Sequence, residues 1–183
     1  MNALFCCKCA TKCKPKMIAG QLREVCPKCG YIYFRNPVPA ISVILFDGNK
    51  IVLGKRVDND KWCLPCGYIE YGENYFDAAV REVKEEIGID SEPLKIINVV
   101  SNNLFSKISS VVVVIISKPL SFELFPSDGE MTEAKWFNIT DSLPELAFDA
   151  DRYIIGKLIE SILSKTEISG ILLSERQTNF IQM

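Results

Sequence analysis

Glu82, Glu85 and Glu86 lie within five consecutive residues. On a helix, residues three and four apart share a face, so these three carboxyl groups converge on one side. Like charges packed that way repel and cost stability. A divalent cation offsets the cost, since clustered carboxylates are the hard oxygen ligands that Mg²⁺ and Mn²⁺ take. Arg81 is placed to reach Glu85, or to fork onto Glu73 and hold its carboxylate in place. Val83 and Ile87 point the other way and would seat the helix on a core. Acidic runs are common on solvated helix faces, so Glu85 and Glu86 alone would carry no such reading. The weight lies in the whole pattern around them.

A second constellation is made of thiols. Six of the eight cysteines fall in the first 29 residues. Cys6-x-x-Cys9 and Cys26-x-x-Cys29 are separated by sixteen residues, a spacing at which two knuckles present four thiolates to one ion. Zn²⁺ takes such a set tetrahedrally, and four protein ligands leave no open position for water, so the site reads as structural. Cys9 and Cys13 form an alternative knuckle, and Cys7 is spare. Cys63-x-x-Cys66 has no distant partner pair and reads either as a redox pair or as packing residues.

The carboxylate stretch runs Gly67, five residues, Glu73, seven residues, Arg81-Glu82-Val83, one residue, Glu85-Glu86, one residue, Gly88-Ile89. It resembles the Nudix box of the MutT-like hydrolases at every specified position. Trp62-Cys63-Leu64-Pro65 upstream, and Glu130, Glu133 and Trp136-Phe137 downstream, are similar to the flanking segments of that family. The two cysteine knuckles, with Tyr33, Asn36 and Pro37, resemble its zinc-ribbon branch, which includes NADH pyrophosphatases and enzymes acting on ADP-ribose or flavin dinucleotide. The resemblance implies an α/β fold, a Nudix α/β/α sandwich with a mixed β-sheet, preceded by a small N-terminal zinc ribbon. It implies Mg²⁺ or Mn²⁺ held by Glu82, Glu85, Glu86 and the backbone carbonyl of Cys66, with Glu73 supporting them and Arg81 orienting the carboxylates. Glu130 or Glu133 would act as general base. Trp62, Tyr68 or Phe105 would stack on the substrate's base or pack in the core. Zn²⁺ would sit on Cys6, Cys9, Cys26 and Cys29. Cys66 stands where the family more often has Gly or Ala, but a backbone carbonyl survives that change. The Ser-Gln-Pro-Trp-Pro-Phe-Pro run of NADH pyrophosphatases is absent, and residues 101–108 read Ser-Asn-Asn-Leu-Phe-Ser-Lys-Ile instead. The proline often found about fifteen residues past the box in ADP-ribose hydrolases is also missing.

The elements that must position these groups follow from pattern. Residues 74–87 form the clearest helix: Asn74 caps it, with Asp77 three residues on, and Gly88 fits the left-handed position that ends helices. Phe76, Val80, Val83 and Ile87 recur at helical spacing and would make its buried stripe. Ala40–Phe46 and Lys50–Arg56 read as strands joined at Asp47, Gly48 and Asn49 into a hairpin. Further strands are expected at Leu94–Ser101, Val111–Lys118 and Ala134–Ile139, and a second helix from Asp149 to Lys165. Asn36, Pro37 and Pro39 mark a stiff connector. The expected division is a ribbon over 1–35, a hydrolase domain over 36–165, and a tail over 166–183 without a readable signal.

Length and composition suit one soluble domain with a small appendage: 183 residues, 48% apolar and 24% charged. The longest apolar run, Val111 to Ile116, is far short of the roughly 20 residues that span a bilayer, so no membrane partner is expected. Cys6, Cys7 and Cys9 interrupt the N-terminus before any basic-then-apolar signal pattern develops, and a cytoplasmic location is expected. Residues 1–35 hold seven basic residues and one acidic one on an otherwise acidic chain. That arm either steers polyanions or keeps a small exposed module soluble. The function expected is cleavage of a nucleoside diphosphate linked to another group, such as ADP-ribose, FAD or NADH, by a homodimer acting on this small-molecule substrate. The alternatives are hydrolysis of an RNA 5′ end or NAD cap, and a non-catalytic nucleotide-sensing regulator that binds nucleic acid. An intact box argues against the last.

Overall fold

A computed structural model describes residues 4–104, 108–126, 129–164 and 171–172. It separates into two compact units, Met1–Pro37 and Val38–Met183.

The first unit is a three-stranded antiparallel sheet, β1 (Lys14–Ile18), β2 (Gln21–Val25) and β3 (Ile32–Tyr33), in the order β1-β2-β3. Its small core is thiol-rich: Cys6, Cys13 and Cys26 are buried, with Leu4, Cys9 and Tyr31 packed on them. A unit with so little apolar side chain to bury needs another source of stability, and a bound metal is the common one.

The second unit is built on a mixed sheet. β4 (Val38–Asp47), β5 (Lys50–Arg56), β6 (Trp62–Cys63) and β7 (Cys66–Tyr68) precede helix α1 (Tyr75–Ile87). β8 (Ser91–Leu104), β9 (Ile108–Pro119), β10 (Met131–Asn138), helix α2 (Asp149–Leu163) and the short β11 (Ile171–Leu172) follow. The main strand order is β10-β5-β4-β9-β8-β11, with β6 paired to β5 and β7 paired to β4. β4 and β9 run parallel from Val38↔Ser110 to Leu45↔Ser117, and the other pairs are antiparallel. The hairpin expected from Asp47-Gly48-Asn49 is present, but β4 and β5 pair only at its tip, Phe46↔Ile51 and Asp47↔Lys50. Beyond it β4 turns to β7 and β9, which brings the start of the box against the sheet.

Alternation along β4 decides what each face covers. Ile41, Val43 and Leu45 pack with Ala78, Ala79, Val83 and Ile87 of α1. Ile44, from the other face, packs with Leu64, Val114, Ile154, Ile155 and Leu158 on the α2 side. β9 repeats the division, with Ile115 towards α1 and Val114 and Ile116 towards α2. The sheet is therefore sandwiched between the two helices. Among the described residues no helix is long and apolar enough to cross a membrane.

Helix α1 begins and ends where its caps place it. Asn74 Oδ1 accepts from the N–H groups of Phe76 at 2.9 Å and Asp77 at 3.0 Å. Gly88 adopts φ 82°, and a Cβ there would also run into the backbone of Phe125. The buried stripe differs from the expected one. Phe76 and Val80 are only half-buried, whereas Ala78, Ala79, Glu82, Val83, Glu86 and Ile87 are buried. The helix is rotated so that two of its glutamates face β7, a placement that hydrophobic spacing alone does not reveal.

Candidate active site

Arg81 organises the acidic end of α1. Its Nε and Nη2 fork onto Glu73, donating to Oε1 at 2.8 Å and Oε2 at 2.9 Å. Nη1 donates to Glu82 Oε1 at 2.7 Å and to Glu85 Oε2 at 2.9 Å. Nη2 also donates to the Tyr68 carbonyl at 3.0 Å. One guanidinium thus holds three carboxylates and the loop that precedes the helix. It has the rigid fork that such a task requires. Glu73 is fixed from its other side by the Glu70 N–H, at 3.0 Å from Oε2. The Arg81 charge holds the Glu73 carboxyl below its ordinary range.

Glu86 lies deeper. It is 2% exposed, and its Oε2 accepts from the Cys66 N–H at 2.8 Å. Burial pushes its pKa up to about 8, against the pull of the Cys66 N–H, and the charges of Glu82 and Glu130 add to the rise. Glu82 is raised as well, chiefly by burial, with the Arg81 contact opposing it. Two buried carboxyls that repel each other and lack a full countercharge form an electrostatic deficit that a divalent cation can fill. Gly67 makes the space for them, because a Cβ there would fall on the Glu82 carboxylate.

The two candidate bases are placed differently. Glu130 is exposed, precedes β10, and accepts from the Val57 N–H through its carbonyl at 3.0 Å. Its charge acts on both Glu82 and Glu86. Glu133, on β10, makes an ion pair with Lys135, and its charge acts on Lys55.

A cavity of about 430 Å³ opens next to this cluster. Its floor is Ala40 and Ser42 of β4 with Ser110 and Val112 of β9, and Phe148, Ala150, Asp151 and Ile154 at the start of α2 form a wall. Cys66, Gly67 and Tyr68 stand on the side of the box, with Arg56, Asp58 and Asn59 also lining it. Arg56 forks onto Asp58 at 2.8 and 3.0 Å, and its guanidinium lies 5.3 Å from the centre of the Phe148 ring. Tyr68 therefore borders the cavity. Trp62 packs into the α2-side core, edge-on to Phe137 at 4.9 Å between ring centres. Phe105 lies outside the described residues. Cys66 hydrogen-bonds Cys63, and this contact together with burial holds the Cys66 thiol well above its ordinary pKa. Asp151, Arg56 and Ser42 were not singled out by sequence reasoning. An aspartate in the first turn of a helix and an arginine at a strand end are commonplace, so no local pattern marks them.

In the N-terminal unit the Sγ atoms of Cys6, Cys9, Cys26 and Cys29 all lie within 4.8 Å of one another, and this group can hold a metal ion. Cys6–Cys29 and Cys9–Cys26 are 3.5 Å apart, and Cys9–Cys29 3.7 Å. A tetrahedral site with Zn–S bonds of about 2.3 Å needs S···S separations of about 3.8 Å, so the set is nearly preformed. The knuckles mirror each other. Ala10 N–H donates to the Cys6 carbonyl at 2.8 Å and Gly30 N–H to that of Cys26 at 3.0 Å, both residues having positive φ. Cys13 is buried beside the four but is not one of them. Contacts from the Thr11 hydroxyl and backbone, with Cys26 contributing, lower the Cys9 thiol to about 6, which favours the thiolate that a metal binds.

Comparison with known proteins agrees with this geometry. The NUDIX domain model matches residues 36–158. The chain is 28% identical over 163 residues to the NAD-capped RNA hydrolase NudC of Stutzerimonas stutzeri, covering 88% of this chain and 56% of that protein. It is 35% identical over 128 residues to the ADP-ribose pyrophosphatase of Methanocaldococcus jannaschii, covering 68% of this chain and 75% of that protein. A solved NUDIX hydrolase from Nitrosomonas europaea has the same fold at a TM-score of 0.78 and 28% identity, covering 88% of this chain and 93% of the other. The chain spans little more than half the length of the NudC relatives it matches. With the box at 67–89 folded as loop and capped helix, and the family model covering two-thirds of the sequence, the chain belongs to the NUDIX domain family.

Proposed function

We propose that the protein is a Mg²⁺- or Mn²⁺-dependent hydrolase that cleaves the diphosphate of a nucleoside diphosphate joined to a second group, such as ADP-ribose, FAD or NADH. The observation that carries this reading is the Arg81 fork, which aligns Glu73, Glu82 and Glu85, together with Glu86 tethered to Cys66, at the edge of a cavity large enough for a nucleoside. Glu82, Glu85, Glu86 and the Cys66 carbonyl would hold the divalent ion, which neutralises phosphate charge and lowers the pKa of a bound water. Arg81 keeps the carboxylates from reorienting, and Glu73 anchors Arg81. Glu130 takes the proton from the attacking water, since its charge reaches Glu82 and Glu86, whereas Glu133 is committed to Lys135. Water oxygen adds to one phosphorus as the bridging P–O bond breaks, releasing two phosphomonoesters. Cys6, Cys9, Cys26 and Cys29 would hold one structural Zn²⁺ in a ribbon over residues 1–35, with the hydrolase domain over 36–165 and a tail of unassigned role over 166–183. A homodimer resident in the cytoplasm completes the reading.

Hydrolysis of NAD-capped RNA is a second reading, favoured by the likeness to NudC over 88% of the chain and by the seven basic residues of the first 35. A substrate panel with Mg²⁺ and Mn²⁺, products identified by mass, tests both. Dinucleotides and nucleotide sugars are expected to be hydrolysed with higher kcat/KM than nucleoside triphosphates, and Glu86→Gln to lose this activity, because an amide is a poor ligand for a hard cation. A strong preference for triphosphates would overturn the main reading. A steep fall of RNA binding with salt on a log–log plot would favour the second.

A further inference from the structure

The cavity beside the box contains two buried polar groups that the fold leaves unused. Asp151 is 3% exposed, and its Oδ2 accepts from the Leu64 N–H at 3.1 Å. Its other oxygen, Oδ1, has no hydrogen-bond partner among the described residues, and Asp151 lines the cavity. Ser42, also 3% exposed and lining the same cavity, has a hydroxyl without a partner among the described residues. Burying such groups without partners is costly, so they are usually satisfied by a ligand or water. The surrounding walls are apolar, with Ala40, Val112, Ala150 and Ile154, and Phe148 adds an aromatic face. Arg56, the nearby cation, is engaged bidentately by Asp58 and does not form an ion pair with Asp151.

This combination suits a purine ring: a flat apolar body with polar atoms on its edge. We infer that Asp151 is a specificity-determining residue that reads the base of the substrate, its Oδ1–H donating to a ring nitrogen of adenine, with Ser42 as a second polar contact. The inference rests on the reading above that the substrate carries an adenosine diphosphate half. The proton belongs on Oδ1, because Oδ2 accepts from Leu64 and therefore has carbonyl character. Desolvation favours the neutral acid, since the wall offers no free countercharge. A neutral acid can donate to an unprotonated ring nitrogen, which a carboxylate cannot.

The test is equilibrium binding of AMP and its 1-deaza, 3-deaza and 7-deaza analogues to the full chain, by calorimetry without added Mg²⁺. At least one of the three deletions is expected to weaken binding about tenfold or more, the scale of one lost buried hydrogen bond. Asp151→Asn, whose amide can accept from Leu64 and donate into the cavity, should keep that discrimination. Asp151→Leu should abolish it, binding AMP and the critical analogue alike. Equal binding of AMP and all three analogues by the unaltered protein would overturn the inference, as would an undiminished deaza penalty in Asp151→Leu. So would a loss of binding that follows removal of the 6-amino group alone, which would mean that Asp151 accepts rather than donates. The analogue panel needs no variant, so it decides the matter even if Asp151→Leu does not fold. Base discrimination without hydrolysis of any adenosine diphosphate compound would refute the proposed reaction and leave the base contact standing. Hydrolysis with a flat analogue panel would do the reverse.

Discussion

Gly67 lies so close to Glu82 that a Cβ on the glycine would coincide with the carboxylate. Gly67 is not in a left-handed conformation, so the demand for glycine here is for space alone. Glu82 is 7% exposed and held at 2.7 Å by Arg81, so it has little freedom to move aside. Gly67→Ala should therefore displace the carboxylate while leaving the sheet and α1 in place. The expected result is an unchanged circular dichroism spectrum with kcat/KM lowered about a hundredfold or more, the scale of an ångström-sized misplacement at a reacting centre. Near-normal turnover would show that Glu82 is not needed where it now sits.

Arg81→Lys tests whether the fork or merely the charge matters. A lysine has one point charge and cannot satisfy Glu73, Glu82, Glu85 and the Tyr68 carbonyl together. Activity should fall about tenfold to a hundredfold, and a higher Mg²⁺ concentration should be needed to reach half of it, as when other groups that orient metal ligands are lost. If titration with Mg²⁺ gave the same half-saturation as the unaltered protein, Arg81 would have a role other than aligning the carboxylates.

Much of this site is legible in the sequence because its parts are close together in the chain. Asn74, Gly88 and the glutamates between them are local features, and local features follow short-range rules for caps and faces. The alternation in β4 likewise forecasts a strand. What is not legible depends on long-range pairing. β6 and β7 are two and three residues long, too short to leave a period, and they exist because β5 and β4 pair with them. Asp151 meets Leu64 across 87 residues of sequence, with nothing in either segment to announce it. The choice between Glu130 and Glu133 is of the same kind: they differ in which neighbours the register of β10 gives them, Lys135 and Lys55 for one and the buried glutamates for the other. The burial of Glu82 and Glu86 ran against hydrophobic spacing, as expected where chemistry competes with packing.

The N-terminal unit should carry one Zn²⁺ per chain, measurable by elemental analysis of the purified protein. Cys26→Ser combined with Cys29→Ser should abolish it, whereas Cys13→Ser and Cys7→Ser should not, since neither sulfur belongs to the cluster of four. Chelation should loosen this unit before the hydrolase domain, because its core holds few apolar side chains besides the cysteines. Full zinc content in the double serine variant would mean that other ligands are used.

Asp151 should leave a signature in the pH dependence of stability. Burial raises its pKa from 3.8 to about 7, with the Leu64 N–H and the Arg56 charge opposing the rise, and the Cys66 thiol faces it. Between these two values the folded state binds a proton that the unfolded state has released. Stability therefore falls as pH rises from about 4 to about 7, and the cost is complete above that. A shift of this size corresponds to a few kcal/mol at most. Asparagine cannot ionise and can still accept from Leu64, so Asp151→Asn should remove this component. The raised pKa of Glu86, about 8, adds a similar slope to both proteins, so their difference isolates Asp151. Urea denaturation of the two, in parallel from pH 4 to pH 8.5, should give equal stability at the acid end and a more stable variant at the alkaline end. Identical pH profiles would mean that Asp151 is already ionised in the fold at acid pH, and the cavity would then present a carboxylate rather than an acid.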